Sequence, residues 1–495
     1  MPELCFIGRM LKEQSAQQFE LEMVTLDSLV PADHLLRQID RYIDFSFIRP
    51  KVEHLYCSNN GRPALDPEAL FKMLFIGYLF GVRSERQLVR EIEVNVAYRW
   101  FLRLRLTDKV PDASTISQNR RRRFRGTTIH QEIFDNIVEQ AMTHGLLGGQ
   151  ALYTDSTHLK ANANKNRHDK VEVEITPPEY WDALDQAVEE DRAAHGKKPL
   201  PPKKEAARTK TIRQSLTDSD AGYMVRDNKP EGFFYLDHRT VDGLCNLITD
   251  TWVTPGNVHD SMPYLNRLDR QCERFGLQPI GVGLDAGYFT AAICKGLEER
   301  SLYGVMGYRR PTRKKGYLSK RHYRYDAQAD VYHCPAGQAL IYKTTDRNGY
   351  RHYQSDPILC EHCVQRAVCT QNKKYQKTVT RHVWEDSKER IDANRLTDYG
   401  KQFYARRKET VERSFADAKE LHGHRYARFR GIDNVREQCL LEAACQNMKK
   451  IAQILTRKAK TASDAAFSPL LRAWQALIGQ IADQERVPGW QSDYR

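Results

Sequence analysis

The chain has 495 residues, with 77 lysines and arginines against 64 aspartates and glutamates, and a formal net charge of +13 at pH 7. This length supports two or three domains with cores of their own, and the basic excess favours a polyanionic partner, most simply nucleic acid. No apolar run is long enough to span a membrane and no signal-peptide core is present, so we expect a cytoplasmic protein without a membrane partner. Its eleven scattered cysteines argue against a disulfide framework.

Residues 1–145 are predicted to form an all-helical domain. Asp66, followed by a proline, is a typical N-cap, and Gly81 is placed to end the helix that follows. Ser84 then begins a capping-box pattern that opens a second helix. A third helix is expected over residues 111–125. Short consecutive helices of this kind are typical of a helix-turn-helix DNA-binding unit.

The third helix ends in a strongly basic segment. Two interpretations remain open for it: a surface that contacts DNA phosphates, or a face that is merely solvated. The candidate DNA-binding residues are Arg120, Arg121, Arg122, Arg123 and Arg125.

From residue 146 the pattern changes to strands. An apolar run over residues 151–154 leads into Asp155, and a second one over residues 280–284 leads into Asp285. The predicted element order, β-β-β-α-β-α-β and then a long helix, is that of a ribonuclease-H-like α/β core with a mixed five-stranded sheet. Such folds carry functional groups at strand ends.

We therefore assign residues 146–456 to one catalytic domain. It is expected to contain two insertions, at about 166–220 and 308–399, the first of them with proline-rich linkers and one helical piece. Residues 457–495 are assigned to a C-terminal tail. Asp260 lies at a strand-to-helix turn, where we expect it to cap the following helix.

A third acid, Glu412, lies in a helical pattern. Val411 and Phe415 belong to an apolar stripe that suits packing against the sheet, and Glu412 lies at the edge of that stripe. Lys408 and Lys419 share the row of Glu412 and are candidates for phosphate contact. The alternative is a solvated Glu–Lys helix face.

Three acids at two strand ends and a helix form the pattern that a two-metal phosphoryl-transfer site requires. Magnesium prefers oxygen ligands and is usually held by one or two carboxylates together with water and substrate phosphate. We expect Asp155, Asp285 and Glu412 to bind two Mg²⁺ ions, with Mn²⁺ as a substitute.

The second insertion holds a different group of potential metal ligands. One CxxC pair with two outlying cysteines predicts a zinc site, whereas a set of small buried thiols is the alternative. The cysteines concerned are Cys334, Cys360, Cys363 and Cys369.

Five stretches resemble the bacterial insertion-sequence transposases of the DDE type. The resemblance implies that Asp155, Asp285 and Glu412 are the metal-binding acids. It also implies nicking at transposon ends, attack of the freed 3′-OH on target DNA, and a dimer or higher oligomer on the terminal repeats and target. The stretches are residues 26–34 with 61–63, 154–163, 253–261, 284–288, and 410–415 with Lys419.

The chain departs from this family in one respect. Related transposases often place a tyrosine and an arginine seven and four residues before the glutamate, but here those positions hold Ala405 and Lys408. Tyr404 and Arg407 are each displaced by one residue. Two alternatives from other functional classes are a nuclease that no longer joins strands and a catalytically silent DNA-binding protein.

Overall fold

The computed structural model describes residues 21–57, 64–174, 180–201, 209–225, 230–308 and 315–461, together with residue 476. The family-like residues 61–63, most of the proline-rich linkers and nearly all of the C-terminal tail lie outside the described residues. Among the described helices, none has the length and apolarity needed to cross a bilayer.

The N-terminal region is helical, as its sequence predicts. Asp66 caps one helix by accepting a hydrogen bond from the Glu68 N–H, and Ser84 caps the next by accepting one from the Gln87 N–H. The basic segment forms a short π-helical turn, Arg120–Phe124. The helices are α1 (Leu26–Leu29), α2 (Leu35–Tyr42), α3 (Ile48–Val52), α4 (Pro67–Leu79), α5 (Glu85–Val94), α6 (Val96–Phe101), α7 (Ala113–Asn119) and α8 (Ile129–Thr143).

Within the described residues, a mixed eight-stranded sheet forms the centre of the chain that follows the helical region. Seven of its strands follow the order β2-β3-β4-β5-β1-β7-β8, and the eighth, β6, pairs with β5. The strands are β1 (Ala151–Lys160), β2 (His168–Glu174), β3 (Thr209–Ser215), β4 (Gly222–Met224), β5 (Gly232–Asp242), β6 (Ile248–Pro255), β7 (Gly281–Leu284) and β8 (Tyr303–Met306).

Strand β1 lies between an antiparallel and a parallel neighbour. It pairs with β5 along most of its length, from Leu152 to Lys160, but with the shorter β7 only from Ala151 to Thr154. Helices α10 (Tyr264–Phe275) and α11 (Ala291–Glu299) connect β6 to β7 and β7 to β8. Crossover helices of this kind are what parallel strand pairs require.

The two predicted insertions pack against each other, which the sequence did not indicate. Strands β2 and β3 of the first insertion extend the main sheet, and its helix α9 (Trp181–Ala194) packs on a second, five-stranded antiparallel sheet. That sheet and the helices between its strands are β9 (Arg324–Asp326), β10 (Val331–His333), β11 (Ala339–Thr345), β12 (Tyr350–Ser355), α12 (Pro357–Glu361), α13 (Arg366–Cys369) and β13 (Thr378–His382). Helix α14 (Glu385–Asn394) follows β13 and packs on α11 and on β8 of the main sheet.

Polar contacts hold α9 on this second sheet. Asp191 accepts hydrogen bonds from the Thr345 hydroxyl at 2.5 Å and from the Arg351 guanidinium at 2.6 Å. His195 stacks on Tyr342, with 3.8 Å between ring centroids. The side chain of Asp191 is buried, so its pairing with Arg351 satisfies a charge that would otherwise be costly.

The C-terminal part of the described chain consists of three helices, α15 (Asp398–Ala405), α16 (Val411–Leu421) and α17 (Ile432–Lys460). Helix α17 contacts α2, α4 and α8 of the helical region on one side and β6 on another. Most of its middle is buried, including polar residues such as Glu442 and Asn447. It therefore joins the helical region to the sheet.

A buried ionic network lies beneath α16. The Arg239 guanidinium on β5 contacts Asp237 at 2.8 Å, Glu442 of α17 at 2.6 Å and the Ser414 hydroxyl at 3.0 Å. His424 donates to the same Asp237 oxygen at 3.0 Å. Asp237, Arg239 and Glu442 are fully buried. The network ties α16 to both β5 and α17.

Candidate active site

Asp155 and Asp285 lie next to each other at the point where a parallel strand ends. The last parallel pair between β1 and β7 joins Thr154 to Leu284, and the two aspartates are the residues that follow. Strand β1 does not end at Asp155, as its sequence suggested, because pairing with β5 continues to Lys160. On its other side, β1 has no pairing with β7 beyond Thr154, and this gap gives the Asp155 carboxylate access to the surface.

Arg407 joins the two aspartates. One guanidinium nitrogen lies 2.5 Å from Asp155 Oδ2 and the other 3.8 Å from Asp285 Oδ1. The Arg407 side chain is only 2% exposed, whereas that of Asp155 is 23% and that of Asp285 53% exposed. A buried guanidinium thus faces two carboxylates that are open to a cleft.

The environment of Asp155 raises its pKa to about 6. Burial is the main cause, and the neighbouring charges of Asp285 and Asp260 add to it. Arg407 and the backbone N–H of Ser156 act in the opposite direction. The carboxyl group therefore exchanges a proton close to neutral pH, and a bound cation would favour its ionised form.

Glu412 lies on the first turn of α16, where its side chain is exposed while Val411, Ser414 and Phe415 are buried. The predicted amphipathic helix is therefore present. Burial raises the pKa of Tyr404, Arg407 opposes this shift, and the charges of Asp285, Asp155 and Glu412 raise the pKa further. All three predicted acids therefore act electrostatically on one tyrosine.

The one-residue displacement of Tyr404 and Arg407 in the sequence does not remove them from the site. A 3₁₀ turn, Arg406–Lys408, connects α15 to α16 and carries Arg407 into the interior. The Tyr404 hydroxyl lies 3.4 Å from the Arg407 guanidinium. Lys408, which occupies the family position, is exposed. Counting residues back from Glu412 could not show this arrangement, because the 3₁₀ turn interrupts the helix between Tyr404 and Glu412.

A cavity of about 1000 Å³ opens beside the aspartates. Its lining includes Asp155, Asp285, Lys419 and a further carboxylate, Asp260. Neither Glu412 nor Lys408 is among the described residues that line it. The prediction that Asp260 caps a helix is wrong, because α10 begins at Tyr264 with Pro263 at the N-cap. Its position near the aspartates follows from tertiary packing, which the sequence pattern could not indicate.

The basic segment does not form one surface. Arg120 is buried, forms an ion pair with Glu85, and lies 4.0 Å from Glu437 of α17. Its predicted contact with DNA is therefore wrong, since its charge is used to join α5 and α17. Arg123 is half-buried and hydrogen-bonds to Asn119. The exposed members of the segment are Arg121, Arg122 and Arg125.

The four cysteines of the second insertion are neighbours, but they do not form a compact ligand set. Burial raises the pKa of Cys360, and Ser355 opposes this, whereas the other three thiols raise it further. The Tyr323 hydroxyl lies 3.1 Å from Cys369 Sγ, and the Gln338 N–H donates to Cys334 Sγ at 3.3 Å. No three of the four sulfurs lie within 4.8 Å of one another.

One other trio of potential metal ligands is close together in the described part of the chain, namely Asp237, His424 and Cys439. It belongs to the buried network beneath α16. The same Asp237 oxygen already accepts from Arg239 and His424, and a metal ion there would be repelled by the guanidinium.

Two family models match parts of the chain. The model described as "Transposase domain (DUF772)" matches residues 24–122, within the helical region. The model described as "Transposase DDE domain" matches residues 333–452, a stretch that includes Arg407, Glu412 and Lys419. No curated protein sequence matches the chain.

Two solved structures are similar to the chain over much of its length. A piggyBac transposase synaptic complex with hairpin DNA matches at 10% identity and a TM-score of 0.35, covering 93% of this chain and 80% of that one. A Mos1 mariner paired-end complex with Mn matches at 13% identity and a TM-score of 0.15, covering 54% of this chain and 65% of that one.

Proposed function

We propose that the chain, which matches two transposase family models, is a DDE transposase. It would cut the ends of a DNA element and join the freed 3′-OH ends to target DNA in a metal-dependent reaction. The observation that carries this proposal is the pair Asp155 and Asp285 at the end of the β1–β7 ladder, joined by Arg407. Glu412 is the third acid of the proposed set.

The core that holds these acids is proposed to be ribonuclease-H-like. The supporting observation is the strand order β6-β5-β1-β7-β8, in which β5 is antiparallel to both of its neighbours and β7 and β8 are parallel to β1. A mixed sheet with this order places the first and fourth core strands side by side. Their carboxylates then share one edge.

The residues of the site fit a pair of divalent ions. Hard cations such as Mg²⁺ and Mn²⁺ require oxygen ligands. Asp155 and Asp285 present carboxylate oxygens to the cleft, and Glu412 presents an exposed carboxylate on the first turn of α16. Two such ions would activate the attacking oxygen and stabilise the leaving oxygen. Arg407 contacts both aspartates, and part of this contact would have to be given up for the two carboxylates to hold the ions.

DNA contact is assigned to two groups of basic residues. Lys419 lines the cavity, which supports its proposed role in contacting the phosphate that is cut. Arg121, Arg122 and Arg125 are exposed on the helical region, and we propose that they bind the DNA backbone. Lys408 is exposed on the turn before α16 and is proposed only as a peripheral phosphate contact.

Because two ends must react together, we propose a homodimer or higher oligomer on the terminal repeats and target DNA. A nuclease of the same fold that does not join strands is the competing function. Both cut DNA, so the joined product distinguishes them.

Zinc is a separate proposal for the second insertion. The four thiols are close enough for the other three to raise the pKa of Cys360, which supports one shared metal ion. They come from the turn after β10, from α12, from the turn after α12 and from α13. Their sulfurs stand farther apart than a tetrahedral zinc centre requires, so binding would draw the two turns together. The residues concerned are Cys334, Cys360, Cys363 and Cys369.

The test uses oligonucleotides that carry the element's own terminal repeats, a supercoiled target and Mg²⁺. The protein should nick the ends and produce joined products, and Asp285→Asn should abolish both reactions while DNA binding survives. Asp269→Asn is a matched control, because Asp269 lies on α10, forms an ion pair with Arg300 and is outside the cavity. Near-normal cutting by Asp285→Asn would remove that residue from the site, and cutting without joining would favour the nuclease.

A further inference from the structure

A second pocket lies where both insertions meet the loop that follows Asp285. Its volume is about 290 Å³, and the described residues of its wall differ from those of the cavity beside the aspartates. The start of α9 forms one side, the start of α11 another, and the β11–β12 turn with the end of β13 a third. We call it the aromatic pocket, because its lining includes Tyr180, Trp181, Tyr350, His382 and Trp384.

The rings of the aromatic pocket are not all packed into a core. Tyr180 and Tyr350 are 38% and 43% exposed. Trp181 and Trp384 are half-buried. His382 is buried, and burial lowers its pKa to about 4, so that its ring is uncharged at neutral pH. The pocket therefore presents uncharged aromatic surface, and nucleobases stack on surface of this kind.

Backbone and packing contacts fix the turn on the third side. The Val383 N–H donates to the Gly349 carbonyl at 2.8 Å, and the Trp384 N–H donates to His382 Nδ1 at 3.1 Å. Gly349 has a φ of +81°, and a Cβ there would lie 2.7 Å from the Leu184 side chain of α9. The first insertion thus packs directly on this turn. The pocket is preformed, which lowers the entropic cost of binding.

The charges on the wall suit a nucleotide. Arg347 forms part of it, and its guanidinium donates to the Pro201 carbonyl, a neutral group that leaves the positive charge in place. Ala291, the first residue of α11, also lines the pocket, and helix N-termini favour anions. Asp185 adds a carboxylate on α9. A phosphate is therefore favoured near Arg347 or the start of α11, and a base among the rings.

The aromatic pocket is close to the proposed cutting site. Thr290, which lines it, follows Asp285 by five residues, and a chain of that length spans at most about 18 Å. One strand of DNA advances about 3.4 Å per nucleotide, so this distance corresponds to about five nucleotides. A duplex hides the faces of its bases in the stack, and only an unpaired base can enter among the rings.

We propose that the aromatic pocket binds an unpaired nucleotide of the DNA strand, within about five nucleotides of the phosphate that is cut. The base stacks on the aromatic rings, and its phosphate lies toward Arg347 or α11. This inference rests on the proposed function, because it assigns part of the same DNA to a second subsite. It also gives the two insertions a common role, since each supplies part of the aromatic wall.

Binding of a short, fluorescently labelled poly(dT) strand, measured by anisotropy, tests the proposal. Trp384→Ala should weaken binding about fivefold or more, because one stacked base contributes at least this much. Trp384→Phe keeps a ring and should retain most of the affinity. The salt slope should stay unchanged, since no phosphate contact is lost. An abasic strand of the same length should bind to the parent and to Trp384→Ala equally.

Tyr350→Ala is a second variant, because an exposed tyrosine can be removed with little effect on folding. Tyr375→Ala is its matched control, since Tyr375 is 37% exposed on the same insertion but outside the pocket. Tyr350→Ala should lose affinity for poly(dT) but not for the abasic strand, and Tyr375→Ala should bind both as the parent does. Circular dichroism checks the folding of each variant, and Tyr350→Ala decides if Trp384→Ala does not fold.

Poly(dT) binding at the parent's level by folded Trp384→Ala, or by Tyr350→Ala where that variant decides, would overturn the inference. Equal losses for poly(dT) and the abasic strand would also overturn it, because a lost stacking contact affects only strands that carry bases. If thymidine monophosphate binds to the parent as tightly as the strand does, the pocket is a site for free nucleotides and its assignment to DNA is wrong. Failure of the proposed function is seen separately, as normal cutting of the element ends by Asp285→Asn.

Discussion

Replacing Arg239 by methionine should destabilise the protein strongly and make its stability depend on pH. Arg239 is fully buried between Asp237 at 2.8 Å and Glu442 at 2.6 Å, and it also contacts Ser414, two residues after Glu412. Removing one partner of a buried ion pair costs about 3–5 kcal/mol, because the remaining charge has no compensation. Here two carboxylates would lose the same partner.

The direction of the pH dependence follows from the pKa values of the two acids. Burial would raise the pKa of Asp237 and of Glu442, but the Arg239 guanidinium together with His424 and the hydrogen bonds to each acid outweighs this effect, so both pKa values lie below their ordinary range. In the parent protein this stabilisation is present above the unfolded-state pKa and is lost only as pH falls through the folded-state pKa. Stability between pH 5 and pH 8 is therefore nearly independent of these two groups.

In Arg239→Met, burial dominates and the folded-state pKa of each acid rises above the unfolded-state value. Stability should then increase as pH falls, by about 1.4 kcal/mol per pH unit for each carboxyl that takes up a proton. Urea unfolding followed by tryptophan fluorescence at pH 5, 6.5 and 8 measures this effect. The loss relative to the parent should be largest at pH 8.

Arg267→Met is the matched control. Arg267 is also buried, but its partner Asp250 lies within 4.0 Å of a second arginine, Arg274, so one cation remains near that carboxylate. Its loss of stability should be smaller and less dependent on pH. An Arg239→Met variant that unfolds at the parent's urea midpoint, or that loses more stability at pH 5 than at pH 8, would refute this reasoning.

Three further predictions concern DNA and metal. Arg407→Gln should slow single-turnover cleavage by tenfold or more while Lys408→Gln stays within about threefold, since only Arg407 contacts the aspartates; equal rates would contradict the assignment. Arg121→Gln with Arg122→Gln should weaken binding to all DNA and lower its salt slope by about one per lost contact; an unchanged slope would place the DNA elsewhere. Purified protein should carry about one zinc per chain, and the Cys363→Ser variant should lose it. If metal analysis of the parent protein finds no zinc, the four cysteines are ordinary thiols.

The sequence was sufficient to predict the two strands that deliver Asp155 and Asp285, because apolar runs that end in a carboxylate are local patterns. The Glu412 helix was likewise predictable from its apolar stripe. The helical N-terminal region followed from N-cap residues such as Asp66 and Ser84. Each of these predictions depends on residues that are close together in the chain.

Features that depend on distant contacts were not predictable. Arg407 reaches Asp155 only because a 3₁₀ turn breaks the helix before α16. Arg120 appears in a run of arginines, and nothing local distinguishes it from its exposed neighbours, yet Glu85 and Glu437 bury it. Asp260 enters the cavity through a loop whose path the sequence does not specify. In all three cases a partner far away in the chain decides the role.

The distance along the chain between Asp155 and Arg407 has a consequence for the protein during its own synthesis. The two residues are 252 positions apart. At a ribosomal rate of about 5–20 residues per second, roughly 13–50 s pass between their appearance. Both aspartates are present once Asp285 has been added, but the arginine that joins them, the Glu412 helix and α17 are still missing at that point. A nascent chain that ends before Arg407 therefore lacks the arginine that joins the two aspartates, and its helices α2, α4 and α8 lack the α17 surface on which they pack.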